Sequence, residues 1–389
     1  MNFLYFKKDR IVIIYGAMKY FCFVLALIAI SPLGMIFPFG CASPPSHFMK
    51  EEETVTHVSP TPPGEIRILT INVWSGLTYQ GFFKVGEYPE NREKRYRLLV
   101  TEIRKLDPDI IAVQEANPLP QYAKRLATDL DYRVIYHVAL GGIRFGSFGI
   151  PTNMREGQAI LVKKPWTIAD LGRKRLSGRG IATDWFCFHF GEITQAFLGW
   201  TVVNEKPLYI YAVHLHSGPF KGLSLDAALQ RLGREMPHEK VKEAIIGAER
   251  GIERRKREIA NLRKFVDETL PKDMPAIILG DFNTTVESGE LDSLLAGGAW
   301  GDSFRLKHPN QEGVTWDPTH NPNFRERLAS STPSDLLRIY HERHSYRIDL
   351  ILVSSNIPRD HILESRIVLT PVDGFSVSDH YGVLTILKW

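Results

Sequence analysis

Six short apolar runs in this chain meet a polar residue of catalytic type at one end. That arrangement narrows the fold more than any other feature. The sharpest case is Ile277-Ile278-Leu279-Gly280-Asp281-Phe282-Asn283. Apolar on both faces and bounded by Pro275 and Gly280, the run reads as a buried strand. Continued through its polar end, the strand sends Asp281 and Asn283 to one side. A carboxylate and a carboxamide held together there can grip a water and a phosphoryl oxygen. The simpler reading of this stretch alone is a Gly-Asp turn after a core strand. Similar ends occur in Ile68-Leu69-Thr70-Ile71-Asn72, in Ile110 to Glu115, in Tyr209 to His214 and at Ser378-Asp379-His380. In Arg347-Ile348-Asp349 the acid stands at the start of its run instead.

Between these runs lie segments with helical periodicity, which calls for an α/β layered sandwich. Leu98, Leu99, Ile103 and Leu106 predict a helix over Arg92–Leu106, stopped by Asp107-Pro108. Ile252, Ile259, Leu262 and Val266 predict another over Gly251–Val266. Its Arg254, Arg255, Lys256, Arg257, Arg263 and Lys264 make either a phosphate-binding face or a solvated one. Gln121–Leu130 and Glu287–Ala296 read as helices, Tyr132–Val138 as a strand and Gly218–Ala248 as helices near the entrance of a site. Gly141–Gly149 reads as a flexible loop at the substrate's edge, and Arg173-Lys174-Arg175 with Arg179 as a basic cluster on a loop. With 389 residues, 44% of them apolar, the chain can bury a large core. Its three cysteines, Cys22, Cys41 and Cys187, form no disulfide framework, and no Cys/His spacing points to zinc.

Taken in order, Asn72, Glu115, His214, Gly280-Asp281-x-Asn283, Ile348-Asp349 and Ser378-Asp379-His380 resemble the endonuclease/exonuclease/phosphatase superfamily. That superfamily includes deoxyribonuclease-I-like nucleases, inositol polyphosphate phosphatases and bacterial neutral sphingomyelinases. The resemblance runs from about Ile66 to Trp389. It implies a four-layer sandwich over residues 65–389, with two stacked mixed β-sheets flanked by helices. Asn72-Val73-Trp74, His214-Leu215-His216 and Thr315-Trp316-Asp317-Pro318 are closest to the sphingomyelinase wording. Glu156-Gly157-Gln158 is similar to the nuclease strand whose leading Glu supports the catalytic His.

Residues Tyr20–Met49 contain no Lys, Arg, Asp or Glu, and Lys7, Lys8, Arg10 and Lys19 precede them. This is the layout of an export signal over residues 1–40. A membrane-spanning helix is the rival reading, which Pro32, Gly34 and Pro38 oppose. Phe39-Gly40-Cys41-Ala42-Ser43 resembles a lipoprotein cleavage site with Cys41 as the lipidated residue, and residues 41–64 then form a Pro-rich tether. The expected location is therefore outside the cell, either anchored to a membrane or secreted. Removing residues 1–40 takes away four basic residues and one acid, which brings the net charge from +4 to +1. The basic overall pI therefore owes much to that segment and says little about a polyanionic partner.

The chemistry expected is metal-assisted hydrolysis of a phosphoester, of a phospholipid or a nucleic acid, by a monomer with no protein partner. A hard cation takes carboxylate oxygen and keeps several waters, so Glu115 alone can anchor Mg²⁺, with Mn²⁺ or Ca²⁺ as alternatives. The resemblance adds Asn72 and Asp379 to the metal site. It gives Asp281 the role of base and Asn283 that of orienting the water. His380 meets the phosphoryl oxygens with its ring fixed by Asp349, and His214, backed by Glu156, acts on the leaving side. His216 is the second candidate for that last role.

Overall fold

The computed structural model describes residues 64–76, 79–80, 84–85, 87–146, 148–150, 154–324 and 332–389. The expected export signal, the Cys41 lipidation site and the tether lie outside them. Twelve strands carry the fold among these residues. They are β1 (Glu65–Asn72), β2 (Ile110–Ala116), β3 (Tyr132–Leu140), β4 (Glu156–Lys163), β5 (Ile168–Ser177), β6 (Thr194–Val203), β7 (Lys206–His214), β8 (Ala276–Asp281), β9 (Trp300–Asp302), β10 (Asp349–Ser354), β11 (Ile362–Val368) and β12 (Gly382–Lys388). The longer helices are α1 (Pro89–Leu106), α2 (Gln121–Leu130), α3 (Leu223–Glu235), α4 (His238–Thr269) and α5 (Pro333–Glu342).

Two six-stranded sheets result, ordered β11-β12-β1-β2-β4-β3 and β9-β10-β8-β7-β6-β5. Each has one parallel pair at its centre, β1/β2 and β7/β8, joined through α1 and α4, and antiparallel neighbours elsewhere. Read from opposite edges the two sheets have the same plan, with β1 matching β7, β2 matching β8 and β4 matching β10. Both faces of the central strands are apolar because both are covered. In β1, Ile66 and Ile68 face Ala212, Ile277 and Leu279 of the other sheet, while Leu69 and Ile71 turn outward onto Leu99 and Ile103 of α1. On the far side, Tyr211, Val213 and Ile278 pack under Ile259, Leu262 and Phe265 of α4. This gives the four layers α/β/β/α.

Several local expectations need correction. The helix predicted from Gly251 begins at His238, since Gly247 and Gly251 are accommodated within its 32 residues. Glu287–Ala296 is not one helix: Gly289, at φ 75°, ends a 3₁₀ turn at Val286–Ser288, and a separate turn follows at Asp292–Leu295. Gly141–Gly149 is not a loop, because Ile143–Phe145 and Phe148–Ile150 pair as antiparallel strands. Arg173, Lys174 and Arg175 lie in β5 rather than on a loop.

Arg255 belongs to neither face proposed for its helix. It is wholly buried, as is Glu290, and the two form a two-pronged pair at 2.8 and 3.1 Å. The remaining guanidinium protons go to the carbonyls of His216, Gly218 and Pro219, which fixes the loop after β7. Breaking one partner of such a pair leaves an uncompensated buried charge, so Arg255→Ala should lose about 3–5 kcal/mol. Urea unfolding should show Arg255→Met combined with Glu290→Leu losing clearly less than the sum of the single changes. Simple additivity would contradict the pairing.

Candidate active site

The ends of β1, β2, β7 and β8 and the starts of β4 and β10 meet at one cavity of about 360 Å³. At Gly280 an added Cβ would sit 2.0 Å from the carbonyl oxygen of Val213. Only glycine lets β8 run that close to β7, and the resulting register sets His214 beside Asp281. β8 ends at Asp281, so strand alternation does not carry on to Asn283. Instead Asn283 takes a left-handed φ of 50°, its N–H donates to Asp281 Oδ1 at 2.8 Å, and its Nδ2 donates to the Leu215 carbonyl at 2.9 Å. Both residues line the cavity all the same.

Asn72 sits between the sheets. Its Nδ2 donates to Glu115 Oε1 at 3.1 Å and to Asp281 Oδ2 at 3.0 Å, while its Oδ1 accepts from Trp74 N–H. Glu115 occupies the left-handed region at φ 57°, a strain of about 1–3 kcal/mol for a non-glycine residue. The Ser75 N–H, donating to Glu115 Oε2 at 2.9 Å, holds it there. Ser378, Asp379 and His380 precede β12 rather than lying in it. The Ser378 hydroxyl donates to the Asn72 carbonyl and lies 3.2 Å from Asp379 Oδ1. His380 Nδ1 meets Asp349 Oδ2 at 2.9 Å, its Nε2 stands 3.9 Å from Asp281 Oδ2, and Trp316 packs edge-on against the ring.

His214 lies among several carboxylates, of which Glu156 is one. Its Nε2 faces Asp281 at 3.6 Å and Glu115 at 4.0 Å, and Glu156, hydrogen-bonded to Ser75, adds its charge from farther off. His216, the second candidate, turns its Nδ1 onto Glu192 at the cavity wall.

A model of the Endonuclease/Exonuclease/phosphatase family matches residues 69–380 of the chain. The chain belongs to the endonuclease/exonuclease/phosphatase family. It is accordingly a metal-dependent phosphoric ester hydrolase. No curated protein matches the sequence. Among solved structures, D. rerio TDP2 in complex with a single-strand DNA product shares the fold at 16% identity and TM-score 0.52, covering 84% of this chain and 99% of that one. Family proteins from Leptotrichia buccalis C-1013-b and Bacteroides thetaiotaomicron, 15% and 16% identical, both give TM-scores of 0.51. They cover 83% of this chain and 100% and 94% of their own.

Charge is crowded in this family member's cavity. Burial and the Glu115 charge push Glu156 up to about 8. Burial, with Glu115 again adding, pushes Asp379 up to about 6, against the pull of His380. Burial and the Asp349 charge raise Asp281. Burial opposes ionisation of Glu115 too, but His214, the Ser75 N–H and the Asn72 amide together bring it below the usual carboxylate range. His214 and His380 are raised despite burial, His214 by Asp281 and Glu115 and His380 by Asp349 and Asp281. The site thus holds more acid than its two imidazoles can balance, all of it hard oxygen donors, and a divalent cation fits that deficit. Among the described residues, Asp281, Asp349 and His380 form a group of acid and imidazole ligand atoms all within 4.8 Å of one another, a group to which Glu115 and Asp379 do not belong. Within it the Asp349–His380 hydrogen bond uses one atom of each residue, while Asp349 Oδ1 is buried with no hydrogen-bond partner.

Other residues support the site without a signal in the sequence pattern. Arg95, on α1, donates to the Val73 and Val377 carbonyls, 282 residues apart in the second case, and ties together the loops that carry Asn72 and Asp379. Thr315 accepts from the Ile348 and Asp349 N–H groups; its place in Thr315-Trp316-Asp317 was the only hint.

His341 of α5, in the cavity wall, is lowered to about 3 by burial first and the Arg255 charge second. It stays neutral when folded, while the unfolded chain protonates it below about 6.5. Its contribution is therefore lost as pH falls below 6.5, at about 1.4 kcal/mol per unit down to the folded value. Urea unfolding at pH 7 and pH 5 should show His341→Gln with about 1–2 kcal/mol less acid destabilisation than wild type. An unchanged difference would refute the assignment.

Proposed function

We propose that the chain is an exported, Mg²⁺-dependent phosphodiesterase acting on a phospholipid diester of the sphingomyelin type. The supporting observation is the charge of the cavity. Six carboxyl groups line it and Asp349 lies behind His380, against one guanidinium, Arg338, which is itself held by Glu342 at 2.6 Å. Inositol polyphosphates and nucleic-acid backbones present several phosphates and are met by clustered Lys and Arg. A single phosphodiester needs no such cluster. Trp74, Phe220, Trp316 and Tyr346 supply apolar wall for an organic headgroup. The TDP2 complex with DNA favours a secreted nuclease as the second reading.

Glu115, with Asn72 and Asp379 beside it, would hold the metal, which when bound neutralises charge building on the phosphoryl oxygens. Asp281 takes the proton of the attacking water, its raised pKa making it a better base near neutrality. The Asn283 amide, anchored through its nitrogen on Leu215, leaves its oxygen to orient that water. His380, held as an imidazolium by Asp349, donates from Nε2 to a non-bridging oxygen. His214, raised by the carboxylates it faces, gives its proton to the leaving oxygen.

Asp281→Asn keeps the shape and removes the proton acceptor, and should lower turnover by ~10²–10⁴. His380→Ala should also lower it, and the double variant should fall short of the product of the two losses. Both should fold, as thermal melts will show. Chelation should abolish hydrolysis of sphingomyelin and added Mg²⁺ restore it. Near wild-type turnover in folded Asp281→Asn protein would sink the mechanism, and activity confined to plasmid DNA would replace the substrate.

A further inference from the structure

A small four-stranded sheet, ordered Ile181–Ala182, Phe186–Phe188, Ile143–Phe145, Phe148–Ile150, stands apart from the two large ones. Its register pairs Phe145 with Phe148 and Phe186, and Ile143 with Ile150 and Phe188, while Phe188 also pairs with Ile181. Partners across a ladder point to the same face. One face is therefore made of seven apolar side chains and no polar one. The other presents Arg144, Gly149, Cys187 and Ala182, all buried against the body of the protein.

The sheet is thus inside out: its apolar face is the one turned to solvent. Phe145 is 63% exposed and Phe148 70%, and the flanking Trp185 and Phe190 extend the patch at 60% and 82%. Trp185 leans on Phe145 at 4.3 Å and Phe190 on Phe188 at 5.3 Å, so the rings form one continuous surface. A contiguous apolar surface of this kind marks an interaction site.

Two observations select the occupant. Between Arg173 and Gly191 the chain has four basic residues and a single acid, Asp184. At one edge of the face the exposed Arg179 lines a cavity of about 380 Å³ together with Phe188 and Phe190, while Arg254, also in its wall, is ion-paired with Glu192 and Glu258. Aromatic rings edged by arginine suit the boundary between acyl chains and anionic headgroups. A protein partner would bring about one hydrogen bond per 100–200 Å², and this face offers no side chain to receive them. The second observation is position. Glu192 lines both this cavity and the catalytic one, so the patch adjoins the mouth of the site.

We infer that this sheet face is the surface by which the enzyme rests on a lipid bilayer bearing anionic headgroups, with its catalytic cavity beside the bilayer. The inference builds on the phospholipid reading of the same site. Lipid docking and lipid hydrolysis are separable, and the test separates them. The full chain is mixed with phosphatidylcholine vesicles, with and without roughly 20% phosphatidylserine, and amide exchange is followed by mass spectrometry. That readout is local, so binding through the amino-terminal segment does not mask it. Protection should appear over residues 143–150 and 181–190, more strongly with phosphatidylserine. In a Phe145→Ser, Phe148→Ser variant the protection should vanish and vesicle-substrate hydrolysis should fall about tenfold or more. Hydrolysis of a soluble chromogenic diester should be unchanged.

Equal exchange with and without vesicles overturns the inference. So does protection that grows with protein concentration alone, which marks a second copy, or protection without vesicles that disappears on deleting residues 1–40. Vesicle-dependent protection without hydrolysis of any phospholipid supports the docking surface and rejects the phospholipid substrate.

Discussion

The site depends on one carboxamide. Asn72 Nδ2 reaches Glu115 in its own sheet and Asp281 in the other, 209 residues along the chain, at about equal distances. An amide offers two protons in a fixed plane, so the proposed metal ligand and the proposed base are held at one separation. That separation is set by the apolar layer between the sheets, where Ile66 and Ile68 meet Ala212 and Leu279. Since interiors are close-packed, sliding one sheet over the other would break the bridge before it opened a void. The core thereby sets the geometry of the chemistry above it.

The surrounding charges follow from crowding. Burial alone would neutralise every carboxyl group here, yet Glu115 stays acidic because donors surround it, while Glu156, with Glu115 for a neighbour, is pushed the other way. Two glutamates of one cavity are thus driven apart by their surroundings. The same contrast separates Asp281, raised by Asp349, from the imidazoliums that Asp281 helps to charge.

Much of this was legible in the sequence because a polar residue closing an apolar run has few places to go. Asn72, Glu115, His214, Asp281, Asp349 and His380 each stand at or beside a strand end, and the fold brings those ends together. What failed was local continuation. Alternation extended β8 to Asn283, but the chain turns left-handed there to give its N–H to Asp281. Glu156 was placed behind His214 by analogy, and the two do act on each other's charge; what stayed hidden is Ser75, a second partner of Glu156 that sequence separation conceals. Arg95 carried no signal and Arg255 a misleading one, since an arginine on an amphipathic helix looks solvated until the loops it binds are in place. The small outward-facing sheet was missed because its glycines read as flexibility, though one of them, Gly149, leaves room for Arg144 beneath.

The matching plan of the two sheets has a consequence for how activity is gained and lost. Asn72 and His214, Glu115 and Asp281, and Glu156 and Asp349 occupy corresponding strand ends in the two halves, so each half brings one member of every pair. Neither sheet alone holds a working set. Hydrolysis therefore reports on assembly: a chain with one sheet formed and the other frayed is silent, however native its ordered part. The active site acts as a checkpoint on complete folding, placed at the seam between the two sheets.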